Sequence, residues 1–391
     1  MRCSRCVVEN KDDPVGFDAG GVCSYCRGFE AVARATQATR DAGELERVVS
    51  EIKALGTGKD HDCIIGLSGG VDSSYLAYVA VKLGLRPLAV HLDNGWDSEL
   101  AISNIHQVVN HLGLELHTHV VDWSEFRELQ VAYIRSGVVD IEVVSDHAIN
   151  SIAYRMALDE DIKFIIGGNN IATEYVMPAG WNYRKQDLRN LKAIIRRNGG
   201  PKITTFPTAS TLRFAWWQIA RGIRSVHLLD YLDYQQAEAI EVLEGLGWRP
   251  YPGKHYESLF TQFYQAHILP TKFGIDKREA HLASLICSGQ MSRTDALAEL
   301  EKPLYDPDEL RQHKTYVLKK LGLTDEEFNL IMREQPKAHT DYPHDGWYAF
   351  YLMKLLRIAL GPLESSRRKA RARLATGERS HVNDARSASL K

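Results

Sequence analysis

Short apolar runs alternate along the chain with longer segments whose apolar residues recur at helical spacing. In the clearest example, the apolar run Ile64–Leu67 leads into Ser68-Gly69-Gly70, and residues 71–83 then carry apolar side chains at helical spacing up to Gly84. An apolar run bounded by a glycine turn predicts a buried strand, and the spacing after the turn predicts a helix. The stretch therefore predicts a strand, a tight turn and a helix.

The same alternation continues downstream. Strands that alternate with helices favour right-handed crossover connections and one parallel sheet. The pattern predicts further strands over residues 86–93, 115–121 and 163–166, and helices over 99–112, 124–135 and 146–158. The sequence thus predicts an α/β protein with a doubly wound parallel sheet.

The segments on either side of this sheet have different patterns. A helix over residues 29–55 links the N-terminus to the sheet, and beyond residue 292 the chain is helical and highly charged as far as Pro336. The polar, basic residues from Arg367 lack periodicity, which is typical of a mobile tail. We expect five parts: an N-terminal cysteine segment (1–30), a linker helix (31–60), an α/β domain with insertions (61–290), a helical C-terminal region (291–365) and a basic tail (366–391).

Composition and charge argue against several classes of protein. The 391 residues are 44% hydrophobic and 25% charged, as in globular proteins, and the net charge of −2 provides no overall basic field for nucleic acid. No apolar run approaches the roughly 20 residues of a membrane span, and the N-terminus has no signal-peptide pattern. We expect a cytoplasmic protein whose main partner is not nucleic acid.

Four of the six cysteines form two closely spaced pairs near the N-terminus. The pairs Cys3/Cys6 and Cys23/Cys26 each enclose two residues, which is the spacing of a tetrahedral zinc site. The intervening turn formers could not build a core alone, so the metal would supply folding energy, and four thiolates leave no open position for catalysis. We predict a structural Zn²⁺ site, with a redox dithiol pair as the alternative.

The turn after the first strand has the composition of an anion site. Paired glycines permit positive φ and close approach of a ligand, and the helix start offers free N–H groups and the positive end of its dipole. A Walker A loop has a lysine here, but Gly70 is followed by Val71 and Asp72. Because a carboxylate repels phosphate unless a divalent cation bridges them, Asp72 predicts Mg²⁺. The predicted phosphate loop consists of Ser68, Gly69, Gly70, Val71, Asp72, Ser73 and Ser74; an ordinary turn is the alternative.

Polar or glycine residues also follow the second and fourth predicted strands. Ligands of open parallel sheets bind outside the carboxyl ends of the strands, so these residues are expected to border the same ligand. They are Asp93, Gly167, Gly168 and Asn169. Plain tight turns remain the alternative at both places.

A later stretch mixes aromatic rings with amides and cations. Rings that stack, an amide that bonds hydroxyls and cations that pair with carboxylate or phosphate suit a sugar or nucleotide, although a surface helix start has a similar composition. We assign substrate binding to Trp181, Asn182, Tyr183, Arg184 and Lys185.

The stretch Ser68–Ser74 resembles the pyrophosphate-binding loop of the ATP pyrophosphatases, the PP-loop superfamily. That superfamily includes GMP, asparagine and NAD synthetases and tRNA thiolation enzymes, which split ATP between its α and β phosphates and leave AMP on a carbonyl oxygen. The resemblance implies a sheet of the adenine-nucleotide α-hydrolase type, with ATP at the loop.

A loop without its own lysine must obtain positive charge for the leaving pyrophosphate from elsewhere. Lys272 and Lys277 flank Gly274 in a stretch rich in cations and aromatic residues, and we predict that both lysines act in catalysis. A solvated charged turn is the alternative.

Most of the chain resembles the N-acetyl sugar amidotransferases of bacterial lipopolysaccharide and O-antigen biosynthesis. The resemblance rests on the cysteine pairs, the phosphate loop, residues 167–170, the stretch 181–183 and the region 254–278. It implies that the acetamido group of a nucleotide-activated sugar becomes an acetamidino group, with release of AMP and pyrophosphate, and it places Lys254 and Glu257 at the substrate. It also implies that ammonia comes from a separate glutaminase paired with a cyclase-like protein.

Two other functions stay open. Neither type of built-in glutaminase is expected. Residue 2 is Arg, where an N-terminal-nucleophile glutaminase requires Cys, and the chain has no room for the additional domain of a Cys-His-Glu glutaminase. A tRNA-thiolating PP-loop enzyme would need reactive cysteines besides the zinc ligands, and only Cys63 and Cys287 remain. A zinc-ribbon scaffold without catalysis is disfavoured by the intact loop.

Overall fold

One five-stranded parallel sheet lies at the centre of the computed structural model, which describes residues 1–9, 16–251, 253, 256–346, 348–349, 351–352 and 355. Every pair of neighbouring strands is parallel. The strands are β1 (Cys63–Gly66), β2 (Pro87–Asp93), β3 (Glu115–Val120), β4 (Phe164–Gly167) and β5 (Arg224–His227), in the spatial order β3-β2-β1-β4-β5. The predicted doubly wound α/β sheet is confirmed.

Helices connect the strands and continue beyond the sheet. The helices before β4 are α1 (Ser24–Asp41), α2 (Glu44–Leu55), α3 (Val71–Lys82), α4 (Glu99–Leu112), α5 (Trp123–Ser136) and α6 (Val143–Asp159). Those between β4 and residue 263 are α7 (Ile171–Glu174), α8 (Leu188–Arg197), α9 (Thr211–Ile219), α10 (Gln236–Glu244) and α11 (Leu259–Phe263). The remainder are α12 (Leu269–Phe273), α13 (Arg278–Cys287), α14 (Arg293–Glu301), α15 (Pro307–Leu321) and α16 (Asp325–Arg333). One π-helical turn, Tyr264–Ile268, joins α11 to α12.

The strand order changes direction beside the central strand. The chain builds outward from β1 to β2 and β3, then returns to place β4 on the other side of β1. Ligands in open parallel sheets bind at the carboxyl ends of the strands at such a reversal. The predicted phosphate loop follows β1 and therefore begins at the reversal.

Each face of the sheet is covered by its own apolar core. Along β1, Ile64 belongs to one buried cluster, and Cys63 and Ile65 belong to the other, as the alternation of side chains along a strand requires. The cluster that contains Ile64 also includes Phe260 and Phe328 from the C-terminal part of the chain. The helical C-terminal region therefore shares a core with the sheet.

The structure differs from the predicted elements in two places. The predicted linker helix is two helices, α1 and α2, because Gly43 between them adopts φ 66°. The strand β5 was not predicted, since four residues with partly exposed charged ends give no apolar run. The tail 366–391 and most of the stretch 347–360 lie outside the described residues.

Among the residues described, no helix is both long and apolar enough to cross a membrane.

Trp96 ties the end of β2 to the C-terminal region, and we expect its truncation to destabilise the fold strongly. Its ring is fully buried, it packs beside Trp123 and Phe260, and Nε1 donates to Gln130 Oε1 at 2.6 Å. Trp96→Ala should lower the free energy of unfolding by about 3–5 kcal/mol through lost burial and the cavity it leaves. Urea titration followed by circular dichroism measures the loss.

The matched control is Trp216→Ala. Trp216 is 43% exposed on α9, so its loss should change the unfolding free energy by only about 0.5 kcal/mol. Equal effects of the two substitutions would contradict the role given to Trp96.

Candidate active site

The phosphate loop is a tight turn whose shape depends on Gly69. Its φ is +81°, and a Cβ at this position would lie 2.7 Å from the carbonyl oxygen of Ala101. Only glycine tolerates both the left-handed backbone and that contact. Trp248 Nε1 and the Tyr251 hydroxyl donate to the Gly69 carbonyl at 2.8 Å and 3.1 Å, so the turn is held from outside as well.

Hydroxyl groups line the same turn. Ser68 Oγ and Ser73 Oγ are 3.1 Å apart, and Ser68 Oγ accepts from the Gly70 amide at 3.3 Å. Ser74 is fully buried at the start of α3, and its Oγ has no hydrogen-bond partner among the described residues. Because a buried hydroxyl without a partner is costly, an added acceptor such as a phosphate oxygen fits this helix start.

Asp72 is held by two hydroxyl donors from distant parts of the chain. The Tyr234 hydroxyl donates to Oδ1, and Thr173 Oγ1 donates to Oδ2 at 3.4 Å. Burial, and next the charge of Asp72, raise the pKa of Tyr234 well above its usual value. Tyr234 therefore keeps its proton at neutral pH and remains a donor to the carboxylate.

Carboxylate oxygens are ligands that Mg²⁺ prefers, and Asp72 has a second carboxylate nearby. Glu174 accepts from Asn169 Nδ2 at 2.8 Å, and its charge also contributes to the raised pKa of Tyr234. Asp72, at the start of α3, fits a magnesium ion beside the loop and would hold it there.

The turn after β4 packs directly on the phosphate loop. A Cβ at Gly168 would lie 3.2 Å from the Ser73 amide nitrogen and 3.3 Å from the Asp72 carbonyl carbon. The structure thus brings Gly167, Gly168 and Asn169 together with residues 72 and 73. Their contact with a nucleotide remains a prediction.

Asp93 closes a turn at the end of β2. Its Oδ1 accepts from the Gly95 amide at 2.9 Å, which is the turn geometry that its sequence also suggested. Nearby, His91 Nε2 lies 3.1 Å from Asp97 Oδ2; burial lowers the pKa of His91, but the hydrogen bond and charge of Asp97, together with the Leu67 carbonyl and the charge of Asp93, raise it overall. Binding of the nucleoside by Asp93 remains a prediction.

The C-terminal part of the chain returns to the phosphate loop at Glu257. Its Oε1 lies 3.3 Å from the position of a Cβ on Gly70, and its carbonyl oxygen accepts from the Ser98 amide at 2.9 Å. Glu257, predicted at the substrate, is thus also beside the phosphates' expected position. Lys254 lies outside the described residues.

The predicted substrate stretch begins with a short turn. Trp181, partly buried, ends a 3₁₀ turn and packs against the core, whereas Asn182 is exposed. Tyr183 stacks on His339 at 4.1 Å between ring centroids and donates to Asp187 Oδ2 at 2.9 Å.

The two cations of that stretch form ion pairs within the chain. Arg184 pairs with Asp345 and with Asp187, the latter at 3.1 Å. Lys185 pairs with Asp140 and Asp146 at 2.5 Å and 3.0 Å, and although burial lowers its pKa, these carboxylates raise it overall.

The two predicted catalytic lysines also have partners. Lys272 Nζ donates to the Ile331 carbonyl at 2.6 Å, and burial lowers its pKa. Lys277 Nζ lies 3.7 Å from Glu142, at the start of α6, and α6 leads into β4. The start of α6 therefore lies at the carboxyl edge of the sheet, which is consistent with the 3.5 Å contact between Asn94 and Ser145. The substrate and catalytic roles of these residues remain predictions.

The sequence did not reveal every residue around Asp72. Thr173 and Glu174 could have been predicted from the sequence, because they follow the predicted glycine turn after β4. Tyr234 and Trp248 gave no signal, since their approach to the loop depends on β5 and on the chain after it.

The four N-terminal cysteines form the predicted cluster. Their Sγ atoms all lie within 4.8 Å of one another and are buried. Backbone amides of Arg5, Cys6 and Cys23 donate to Cys3 Sγ at 3.3–3.4 Å, an arrangement that favours thiolates. The residues fit a Zn²⁺ ion, which Cys3, Cys6, Cys23 and Cys26 would hold.

Two family profiles match separate parts of the chain. The profile of NAD synthase matches residues 45–196, and the profile described as LPS biosynthesis protein WbpG-like, C-terminal domain, matches residues 257–356. The first match contains the phosphate loop, and the second begins at Glu257, whose carboxylate lies beside Gly70 of that loop. Together the two matches support a lipopolysaccharide-related PP-loop amidotransferase. It is therefore an ATP-using, amidating enzyme.

The comparison of this amidotransferase with curated proteins gives no significant match. Among solved structures, NMN synthetase from Francisella tularensis is 15% identical, with 56% of this chain and 90% of that chain covered and a TM-score of 0.27. The NH3-dependent NAD synthetase from Campylobacter jejuni is also 15% identical, with 54% and 97% covered and a TM-score of 0.28.

We expect Tyr234→Phe to weaken binding of ATP with Mg²⁺. Without the phenol hydroxyl, the Asp72 carboxylate loses a charge-assisted donor and its fixed orientation, and loss of such a supporting bond typically costs roughly tenfold or more in metal affinity. Calorimetric titration with ATP and Mg²⁺ measures the change.

Tyr78→Phe is the matched control, because Tyr78 lies on the same helix as Asp72 and its hydroxyl contacts Lys82. Its affinity for ATP with Mg²⁺ should equal that of the unmodified enzyme. Unchanged affinity in Tyr234→Phe would show that the hydroxyl does not orient Asp72.

Proposed function

We propose that this amidotransferase converts the acetamido group of a nucleotide-activated sugar into an acetamidino group for surface polysaccharide, in the cytoplasm. The observation that carries the proposal is the position of Glu257. It is the first residue of the region similar to the lipopolysaccharide-biosynthesis domain, and its carboxylate lies beside Gly70 of the phosphate loop. A sugar held by that region would therefore meet ATP at the loop.

The reaction has two steps. The carbonyl oxygen of the acetamido group attacks the α-phosphorus of ATP, and the bond to the β-phosphate breaks to release pyrophosphate. Ammonia then adds to the activated carbon, AMP departs and a proton is lost, which leaves nitrogen in place of oxygen. An amide carbonyl is a weak electrophile, so the first step supplies the leaving group that the second step needs.

The residues of the loop act mainly by position and charge. The positive end of the α3 dipole and the hydroxyls of Ser68, Ser73 and Ser74 bind the β and γ phosphates and stabilise their growing charge. Mg²⁺ held by Asp72 would neutralise the phosphates that a carboxylate otherwise repels. Lys277 is proposed to supply further positive charge from the carboxyl edge of the sheet, and Lys272 from α12.

Substrate binding is proposed for residues 181–185, which we call the rim, at the carboxyl edge of the sheet. We propose that Trp181 and Tyr183 stack on the sugar or its base, that the exposed Asn182 bonds hydroxyls, and that Asp93 contacts the nucleoside of ATP. Arg184 and Lys185 keep this rim in shape through their ion pairs and are proposed to contact the sugar nucleotide as well.

The direct test incubates the enzyme with ATP, Mg²⁺, ammonium and a UDP-linked acetamido sugar. We expect AMP, pyrophosphate and a sugar product about one mass unit lighter, because NH replaces O. Mass spectrometry of the sugar and chromatography of the nucleotides measure all three. Asp72→Asn should abolish AMP release while leaving the unfolding curve unchanged.

Formation of ADP in place of AMP would contradict the proposal at its first step. Release of AMP with tRNA and not with any acetamido sugar would favour the tRNA-modifying alternative.

The nitrogen source gives a second test. We propose that a separate glutaminase with a cyclase-like partner supplies ammonia, so the purified chain should use ammonium and should not use glutamine. Comparing initial rates of AMP release with each nitrogen source checks this, with glutamine plus added ammonium as the control for inhibition. Turnover with glutamine alone would show that the chain contains its own glutaminase activity.

A further inference from the structure

A fifth thiol lies beside the cysteine quartet. Cys287, the last residue of α13, has its Sγ 3.7 Å from Cys26 Sγ. Within the quartet, Cys6 and Cys23 are 3.7 Å apart and Cys3 and Cys26 are 3.9 Å apart. Zinc–sulfur bonds of about 2.3 Å in a tetrahedron place sulfurs roughly 3.8 Å apart. Cys287 thus lies at this spacing from Cys26, although the four sulfurs that all lie within 4.8 Å of one another are those of the quartet.

Cys26 is the quartet member with the weakest backbone support. Cys3 Sγ accepts three backbone amides, Cys23 Sγ accepts the Cys26 amide at 3.4 Å, and Cys6 Sγ accepts from the backbone of Val8. Among the described residues, the hydrogen-bond neighbours of Cys26 Sγ are the thiols of Cys3 and Cys287. Bonds of this kind fix a ligand in place, so Cys26 is the ligand most easily exchanged.

The helix that carries Cys287 is packed into the same buried cluster. Ala280 and Ala283 of α13 lie with the four cysteines in one apolar core, and Cys287 is 8% exposed. Two arginines lie close to the cluster: Arg293 donates to the carbonyls of Cys3 and Cys6, and Arg5 is near Cys26 and Cys287. Their charge favours an arrangement rich in thiolates.

We propose that Cys287 is a fifth thiol of this metal centre and replaces Cys26 as the fourth ligand when Cys26 leaves the ion. The exchange is balanced: one zinc–sulfur bond breaks at Cys26, one forms at Cys287, and the proton of the Cys287 thiol passes to the Cys26 sulfur. The charge of the centre does not change. This inference rests on the predicted zinc site and is independent of the reaction proposed above.

The exchange would connect the metal ion, through α13, to the residues beside Asp72. The same helix, α13, also binds the segment that contains α7: Ser284 Oγ accepts from the Val176 amide at 2.9 Å, and Ser288 Oγ donates to the Ala172 carbonyl at 2.9 Å. Thr173 of that segment donates to Asp72. A metal ligand on α13 therefore secures a helix that supports the phosphate loop.

Cobalt substitution tests the proposal, because thiolate-to-cobalt charge-transfer absorbance counts the thiolates on the ion. The full-length chain, Cys26→Ser, Cys287→Ser and the double variant are each loaded with Co²⁺ alone. We expect four-thiolate spectra from all but the double variant, which should lose a quarter of the charge-transfer intensity. Cys63→Ser, which changes a buried thiol of β1, is the control and should match the unmodified chain.

A three-thiolate spectrum from Cys26→Ser would overturn the proposal. If that variant does not fold, zinc release to a chelator decides the matter, since Cys287→Ser keeps all four members of the quartet. A spare ligand slows release, so Cys287→Ser should lose zinc about tenfold faster than the unmodified chain. Equal release rates would overturn the proposal.

Discussion

The close packing of the phosphate loop against α4 is the constraint on which the site depends. At Gly69 the backbone takes a left-handed conformation within van der Waals reach of the Ala101 carbonyl of α4, and no side chain fits between them. That contact fixes the direction in which α3 leaves the sheet, and hence where its first amides point. The burial of β1 on both faces keeps the turn from shifting, because movement would disturb two cores at once.

A second constraint follows from placing a carboxylate in an anion site. Asp72 would repel phosphate and rotate toward solvent if nothing held it, but Tyr234 and Thr173 bind its two oxygens from separate elements. The donors come from beyond β5 and from α7, so the electrostatics of the loop depend on the whole carboxyl edge of the sheet. Low dielectric around the buried phenol strengthens the bond that it makes to Asp72.

Much of the architecture was predictable because its signals are local. The apolar runs of β1, β2 and β4, the glycine turns after β1 and β4 and each closely spaced cysteine pair are short sequence patterns that can be recognised one at a time. The missed features depend on tertiary contacts. The four-residue β5 becomes a strand because β4 pairs with it. The ion pair between Arg184 and Asp345 forms because residue 345, distant in sequence, returns to the sheet domain. Likewise, the proximity of Cys287 to Cys26 arises from the packing of α13 and has no counterpart in the spacing of the sequence.

The junction at the end of β2 has a consequence for how such proteins diversify. The Leu259 amide donates to the Trp96 carbonyl at 2.8 Å and the Ser98 amide to the Glu257 carbonyl at 2.9 Å, so the C-terminal region enters the fold by pairing with the edge of the nucleotide site. A chimera that joins the sheet of one relative to the C-terminal region of another would have to restore both of these backbone hydrogen bonds and the aromatic packing of Trp96. Recombination at residue 257 would therefore disturb the phosphate loop and the C-terminal region together, and substitutions that keep the two parts intact would be better tolerated.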